Sequence, residues 1–411
     1  FALPQDTLSP AAEQRTKDTG TFCRNPKRIL TAGFNAAERQ NRPPADMTKS
    51  TENGREIPIM KCFHKIINSS SADLSFIPDG SVQLIVTSPP YPMIEMWDEI
   101  FFAQNPEIRE DFQREDYTAA YRKMHDILNR AWEECHRVLS DNGFVCINIG
   151  DATRTLDKEF RLFPNHAAII DFFLKKGCCA LPDIHWRKPT NAPNKFMGSG
   201  MYPAGAYVTY EHEYILIFRK GGKRKFDAQA AQLRRESAYF WEERNEWFSD
   251  LWEIKGTNQK IGKSSSRLRN ASFPFEIPYR LINMYSIKGD TVLDPFCGLG
   301  TTNLACMASE RNSIGVDIDE AICKNAVANL RKKTDAVNEI IDKRIDRHIS
   351  FISSLSDDKR KKCYINEKHH FPVKTRQEIQ LCIRKCRDFD FQDGCILCSY
   401  ESVPAKAAKK K

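Results

Sequence analysis

Two short strings restrict what this 411-residue sequence can fold into. One is Thr87-Ser88-Pro89-Pro90-Tyr91, the other Asp294-Pro295-Phe296-Cys297-Gly298-Leu299-Gly300-Thr301-Thr302. Each follows a β-branched and aliphatic run that reads as a buried strand, Val82 to Val86 and Thr291 to Leu293. Each therefore falls where open α/β sheets hold their ligands, just beyond the carboxyl end of a strand.

The rest of the chain agrees with such a sheet. Phe63, Ile66 and Ile67 suggest a first strand, and Asp79-Gly80 a turn before the strand that delivers Thr87. Apolar residues from Tyr121 through Met124, Leu128, Trp132 and Cys135 to Leu139 recur at three- and four-residue steps, predicting a helix over 118–139. Asp141-Asn142-Gly143 ends it and Phe144 to Ile149 is the next strand. A helix over 165–175 leads to Ile184-His185-Trp186, and Glu213 to Arg219 is another strand. Glu276 to Tyr285 reads as a short amphipathic helix. Ser313 to Val316 is a strand closed by Asp317, and Asp319 caps a helix through Leu330. Strands alternating with helices over 60–335 predict a mostly parallel sheet covered on both faces, and no internal repeat interrupts it. With 41% hydrophobic residues the chain can bury one large core or two smaller ones.

Outside that span the character changes. Residues 1–46 are polar, carry Pro4, Pro10, Pro43 and Pro44, and show no apolar period; they are expected to be a disordered extension or a gene-model artefact, Met47 being a natural start. Past residue 340 the chain turns Lys-, Arg- and Cys-rich and ends in Lys409-Lys410-Lys411. No stretch has the length of a bilayer-spanning helix and no charged-then-apolar leader opens the chain, so a cytoplasmic protein without a membrane partner is expected. Most of the 14 cysteines stand singly in apolar surroundings, which suits reduced core residues. The net charge of +8 points in the direction that nucleic-acid binding requires.

The glycine string admits several ligands. Gly298 and Gly300 let the backbone turn tightly and approach a ligand, and Thr301 and Thr302 open a helix. Asp317 then ends the next strand, where a carboxylate can take both ribose hydroxyls. A phosphate-binding loop needs a lysine that is missing here, and a dinucleotide site wants a third glycine where Asn303 stands. S-adenosylmethionine has no phosphate, and its sulfonium and amino-acid tail suit the acidic Asp294 beside the glycines. An ordinary strand-to-helix turn is the alternative for the glycines taken alone.

The proline string is stiff, because each proline fixes φ and restrains the residue before it. Neither proline has an N–H, so nearby carbonyls stay free to accept. The Ser88 hydroxyl and the Pro89 carbonyl suit the two N–H bonds of a planar base amine, whose nitrogen gains positive charge as it attacks a methyl group. Pro90 stiffens the turn, and Tyr91 offers a face for a base to stack on. The alternative, a proline-rich docking segment, needs exposure that Leu84-Ile85-Val86 argues against.

Together these segments resemble the β group of amino-methylating DNA methyltransferases of bacterial restriction–modification type, catalytic string first and cofactor loop last. Asn148-Ile149-Gly150-Asp151, Trp186-Arg187-Lys188-Pro189, Glu211-His212-Glu213-Tyr214 through Lys220, and Phe273-Pro274 with Pro278 and Leu281-Ile282 are similar to further family segments in the same order. The resemblance implies an α/β, doubly wound, mostly parallel seven-stranded sheet of the S-adenosylmethionine-dependent methyltransferase type, its seventh strand antiparallel. It implies that Asp294, Phe296, Gly298, Gly300, Thr301, Thr302, Asp317, Phe273 and Pro274 hold S-adenosylmethionine, and Ser88, Pro89, Pro90 and Tyr91 the target base. It implies a double-stranded DNA partner and a cognate restriction endonuclease. One position departs: the family has Gly-Asp at the end of the first strand, whereas Asn68-Ser69 stands here, so Asn68 is left only an amide contact at that edge. Ser-Pro-Pro-Tyr is commoner in the cytosine-N4 enzymes, which favours N4 of cytosine over N6 of adenine. An RNA base, or a non-catalytic nucleic-acid-binding protein of the same fold, are the other readings.

Three domains are expected: a methyltransferase domain over 60–335, with a catalytic half 60–220, a DNA-contacting insert about 221–270 and a cofactor half 271–335; the extension 1–46; and a basic Cys-rich tail over 340–411. Base extrusion costs a few kcal/mol, and phosphate contacts from Lys220 to Lys225 and from Lys260 to Arg269 are candidates to offset it. Target recognition is expected from 92–117, 221–270 and the tail. Cys382, Cys386, Cys395 and Cys398 have spacings like those of a zinc site closing a small module.

Overall fold

The computed structural model describes residues 47–52, 55–188, 197–256, 273–392 and 395–403. The expectations for 1–46, for Lys260 to Arg269, for Pro189 and for Lys409-Lys410-Lys411 lie outside these residues.

The chain opens with β1 (Met47–Glu52), β2 (Arg55–Asn68) and β3 (Val82–Thr87). Helices α1 (Asp98–Gln104), α2 (Glu107–Gln113) and α3 (Tyr117–Val138) follow. Asp116 caps α3 by accepting from the Ala119 N–H at 3.0 Å. The apolar stripe of α3, including Met124, Leu128 and Trp132, is buried as its period requires. Then come β4 (Leu139–Ile149), the hairpin β5 (Ala152–Leu156) and β6 (Glu159–Phe163), α4 (Asn165–Lys175) and β7 (Cys179–Arg187). A second small hairpin, β8 (Met197–Gly198) and β9 (Ala206–Tyr207), precedes β10 (His212–Arg219).

The stretch after β10 contributes α5 (Ala228–Glu236), α6 (Trp241–Trp247) and β11 (Leu251–Glu253). Next are α7 (Glu276–Tyr285), β12 (Thr291–Asp294), α8 (Thr301–Met307), β13 (Asn312–Asp317) and α9 (Glu320–Lys332), the last capped by Asp319. The remainder forms α10 (Thr334–Ser354), α11 (Asp357–Arg360), the short pair β14 (Tyr364–Ile365) and β15 (Pro372–Val373), and the hairpin β16 (Arg384–Gln392) and β17 (Cys395–Ser402).

One sheet runs β11-β7-β10-β4-β3-β12-β13-β2-β17-β16, with β1 paired to β2 beside this path. Its central seven strands, β7 to β2, have the expected design: six point one way and β10 runs antiparallel to both neighbours. The expected count of seven is too small, because the sheet has eleven strands and is mixed. β11 extends one edge in parallel, and β17 adds antiparallel to β2 on the other, Ile396 opposite His64. The reason is physical: a bare edge of β2 offers unpaired N–H and C=O groups, and the last hairpin of the chain covers them.

Alternation along the strands divides the core. Leu84, Val86, Ile215 and Ile217 face α6, α7, α8 and α10, while Ile85, Val145, Ile147 and Leu216 face α1 to α4. Among the described residues no helix is long and apolar enough to cross a membrane.

Candidate active site

The two strings meet at the carboxyl ends of neighbouring parallel strands, β3 and β12. A buried carboxylate joins them. Asp294 Oδ1 accepts from Thr87 Oγ1 at 2.6 Å and from the Phe296 N–H at 3.1 Å, and Oδ2 accepts from Thr302 Oγ1 at 2.6 Å. Burial pushes the Asp294 carboxyl up to about 6, with the two threonine hydroxyls and the Phe296 amide pulling the other way. Asp294 and Thr302 therefore hold the loop in shape from inside.

The loop itself is shaped by Gly298 at φ +50° and Gly300 at φ +78°, backbone that other residues seldom adopt. A Cβ on Gly298 would meet nothing within 4 Å, so this side of the loop faces open space. Asp317, at the end of β13, accepts from the Gly298 N–H at 3.1 Å through Oδ2 and from the Asp319 N–H at 3.0 Å through Oδ1. Burial raises its carboxyl as well. Asn68 ends the adjacent β2 and donates to the carbonyls of Asp317 and Ile318, both at 3.0 Å. Phe296 packs edge-on against Trp132 with ring centroids 5.7 Å apart. Thr301 is half-buried at the start of α8; Phe273 and Pro274 are buried just before α7.

Beside this loop, Ser88 to Tyr91 close a hydrogen-bonded cluster with three residues from other strands. Tyr91 OH donates to Glu213 Oε2 at 2.8 Å, and Asn148 Nδ2 donates to Tyr91 OH at 2.8 Å and to Glu213 Oε2 at 2.6 Å. Lys188 donates to the other oxygen of Glu213 and lies over the Trp186 ring, 4.5 Å from its centroid. Ser88 Oγ lies 3.0 Å from Tyr91 OH. The hydrogens can be counted. Tyr91 spends its own on Glu213, so the Ser88 hydrogen goes to the Tyr91 oxygen. Asn148 Nδ2 lies 3.5 Å from Ser88 Oγ, with its two hydrogens already given to Tyr91 and Glu213, so both lone pairs of Ser88 Oγ remain acceptors. Burial and the Glu213 charge hold the Tyr91 phenol well above its ordinary range, so it stays protonated. Asn148 Oδ1 is buried with no protein partner.

The backbone of the string is fixed as firmly. Asn165 Nδ2 donates to the carbonyls of Pro92 and Gly150, both at 3.0 Å. The Tyr91 ring lies against Gly150 so closely that a Cβ there would come within 3.0 Å of it. Asp151 accepts from both the backbone N–H and Nδ1 of His166.

Sequence reasoning named the segments holding Asn148, Lys188 and Glu213 but gave these side chains no part in the site. The available signal was a lone carboxylate at the head of the otherwise apolar strand His212–Arg219. Sequence reasoning also stressed the face of Tyr91, whereas the structure engages its hydroxyl at three points.

Several expected contact surfaces turn inward. Trp247 and Trp252 of the stretch 221–270 are buried in the core, Trp252 Nε1 donating to the Trp247 carbonyl at 3.1 Å. Lys220 donates to the carbonyls of His136 and Leu139, and Arg224 pairs with Asp290. The four tail cysteines do not assemble a metal site. Cys382 precedes β16, Cys386 lies on it, and Cys395 and Cys398 lie on β17, all buried. No three of their sulfurs come within 4.8 Å of one another; among the described residues only Glu242, His348 and Glu378 do so with ligand atoms. A hairpin extends its residues along two strands, and paired strands need no metal to order them.

Residues 82–329 match the family model N6_N4_Mtase, described as DNA methylase. The chain is 50% identical over 322 residues to the Type II methyltransferase M.MthZI of Methanothermobacter thermautotrophicus, covering 78% of this chain and 89% of the relative. It is 53% identical over 270 residues to the Type II methyltransferase M.MjaI of Methanocaldococcus jannaschii, covering 63% and 88%. Among solved structures, the DNA modification methylase TTHA0409 of Thermus thermophilus, in complex with S-adenosyl-L-methionine, superposes with a TM-score of 0.52 at 29% identity, covering 66% of this chain and 94% of that one. With the two strings joined through Asp294 and the family match running from β3 through α9, this chain belongs to the N6_N4_Mtase family of DNA methylases.

Proposed function

We propose that the protein transfers a methyl group from S-adenosylmethionine to the N4 amino group of a cytosine extruded from double-stranded DNA, as the modification partner of a restriction endonuclease in the cytoplasm. The observation that carries this is the hydrogen count at Ser88. A neutral hydroxyl whose own hydrogen is committed to Tyr91 presents only lone pairs, which is what an amine losing a proton requires. With the Pro89 carbonyl it supplies two acceptors for the two N–H bonds of the amine. Pro90 and the Asn165 contacts keep those acceptors in place, so they cost no reorganisation when charge develops on the nitrogen.

The donor set of the glycine loop fits the cofactor. Between Asp294 and Thr302 there is no lysine or arginine to meet a phosphate, and open space borders Gly298. Asp317 would take the ribose hydroxyls, the backbone at Gly298 and Gly300 with Thr301 would line the amino-acid tail, and Phe296, Phe273, Pro274 and Asn68 would enclose the remainder. Bound there, S-adenosylmethionine supplies a methyl group activated by its sulfonium. Asp294 and Thr302 act one step away, fixing the loop to the strand that carries Ser88.

Cytosine N4 is preferred to adenine N6 because the acceptor is a short, uncharged hydroxyl. The test is nucleoside mass spectrometry and long-read sequencing of DNA from a methylation-free host expressing the protein. N4-methylcytosine at one recurring sequence is the expected result. N6-methyladenine would overturn the choice of base, and unmodified DNA the activity.

A further inference from the structure

Between Lys188 and Glu211 the chain leaves the sheet, and the feet of this excursion stand at the site just described. The Lys188 N–H donates to the Glu211 carbonyl at 3.0 Å, closing the excursion beside the Lys188–Glu213 ion pair. Tyr210 OH accepts from the Asp151 N–H at 3.2 Å, tying the returning limb to the end of β4. The excursion carries the hairpin β8–β9, and its tip exposes large apolar side chains: Met201 is 89% exposed, Tyr202 80% and the following Val208 90%.

This tip is a built turn. The Ser199 N–H donates to the Gly205 carbonyl at 2.9 Å, and Ser199 Oγ donates to the Tyr202 carbonyl at 2.7 Å. A Cβ on Gly205 would come within 2.7 Å of Ser199 Oγ, so the closure depends on glycine there. Ala204 holds a positive φ of 67°, conformational cost accepted to keep the turn. Beneath the tip, Tyr207 stacks on Phe160 of the β5–β6 hairpin with centroids 4.6 Å apart. That neighbouring hairpin exposes Lys158 and Arg161. A shaped apolar tip, flanked by exposed cations and rooted beside a base pocket, matches one occupant: a nucleic-acid duplex, its phosphates met by the cations and its stack by the apolar residues.

We propose that Met201 and Tyr202 form the wedge that enters the duplex and fills the space left by the extruded base. This rests on the methyl transfer to an extruded base proposed above. Extrusion costs least when the base is already unpaired. The wedge is therefore needed on a paired target and dispensable on a mispaired one, whereas a residue that shapes the pocket is needed on both.

The experiment compares the full-length protein with a Met201→Ser, Tyr202→Ser double variant on two duplexes, one fully paired and one with the target base mispaired. The expected result is a fall in kcat/KM of roughly tenfold or more on the paired duplex and less than about threefold on the mispaired one, following the few kcal/mol of unstacking at stake. Tyr202→Phe keeps the apolar ring and is expected to stay near the wild-type rate on both. An unchanged rate of the double variant on the paired duplex, or an equal loss on the two duplexes, would overturn the wedge. If the wild-type protein methylates neither duplex, it is the methyl transfer that fails.

Discussion

Glu213 and Glu310 make nearly the same bonds in two regions of the molecule, with opposite consequences. Glu213 takes a lysine on one oxygen and two further donors, Tyr91 and Asn148, on the other. Glu310 takes Lys288 on one oxygen and Arg384 on the other, Arg384 also reaching Glu236. Lys188, however, has a side chain 42% exposed, and Lys288 only 5%. The Glu310 cluster is sealed between α5, α8 and the start of β16, so every charge has to be matched inside the protein. The Glu213 cluster stands open at the carboxyl edge of the strands, where Asn148 Oδ1 keeps an unsatisfied lone pair and Ser88 keeps two. Completed pairing makes a fastener, and incomplete pairing leaves a site.

The sharpest way to break the comparison is Glu310→Ala. It leaves the Lys288 and Arg384 charges buried without their shared partner, and breaking a buried pair costs about 3–5 kcal/mol. Urea denaturation should show a loss of that order; a loss under about 1 kcal/mol would mean the cluster is not a fastener. Ser88→Ala should do the reverse, lowering turnover by roughly two to three orders of magnitude, equivalent to about 2–4 kcal/mol, with the urea midpoint unchanged. Tyr91→Phe falls between the two. It removes the acceptor that orients Ser88 and one donor to Glu213, so turnover should fall by roughly tenfold, on the order of one lost hydrogen bond. Full activity of Tyr91→Phe would mean that only the aromatic face matters.

The smallest effect concerns Asp294. Its folded value is raised above that of the unfolded chain, so the folded state binds more protons between about 4 and 6, and stability falls as pH rises through that window. Asp294→Asn has no such titration. The difference in Tm between wild type and variant should therefore change across about pH 4 to 6, moving in the variant's favour as pH rises, and stay flat above about 7.

The central seven strands were legible in the sequence because their signals are local. Val82 to Val86 is apolar apart from Gln83, Asp319 sits where a cap belongs, and Gly298 and Gly300 announce a turn. The strands that extend the sheet were not legible. Arg384 to Gln392 reads as a charged tail, and its strand character comes from pairing with β17, which in turn needs the edge of β2, far earlier in the chain. The tryptophans of α6 and β11 misled for a related reason: an aromatic in a polar stretch suits a ligand surface or a core equally, and only packing decides. At the site, the backbone strings could be read, while the Glu213 cluster could not, since its members come from separate strands with no common spacing.

The pairing of β2 with β17 also sets an order of events during synthesis. Residues Met60 to Lys65 leave the ribosome early, yet the strand that covers them, Cys395 to Tyr400, is made far later. At about 5–20 residues per second the edge waits on the order of tens of seconds. Throughout that interval the nascent chain exposes a strand edge able to pair with a neighbour on the same messenger. Crowded polysomes are thus where this protein is most exposed to misassembly, and slower translation would lengthen the risk rather than relieve it.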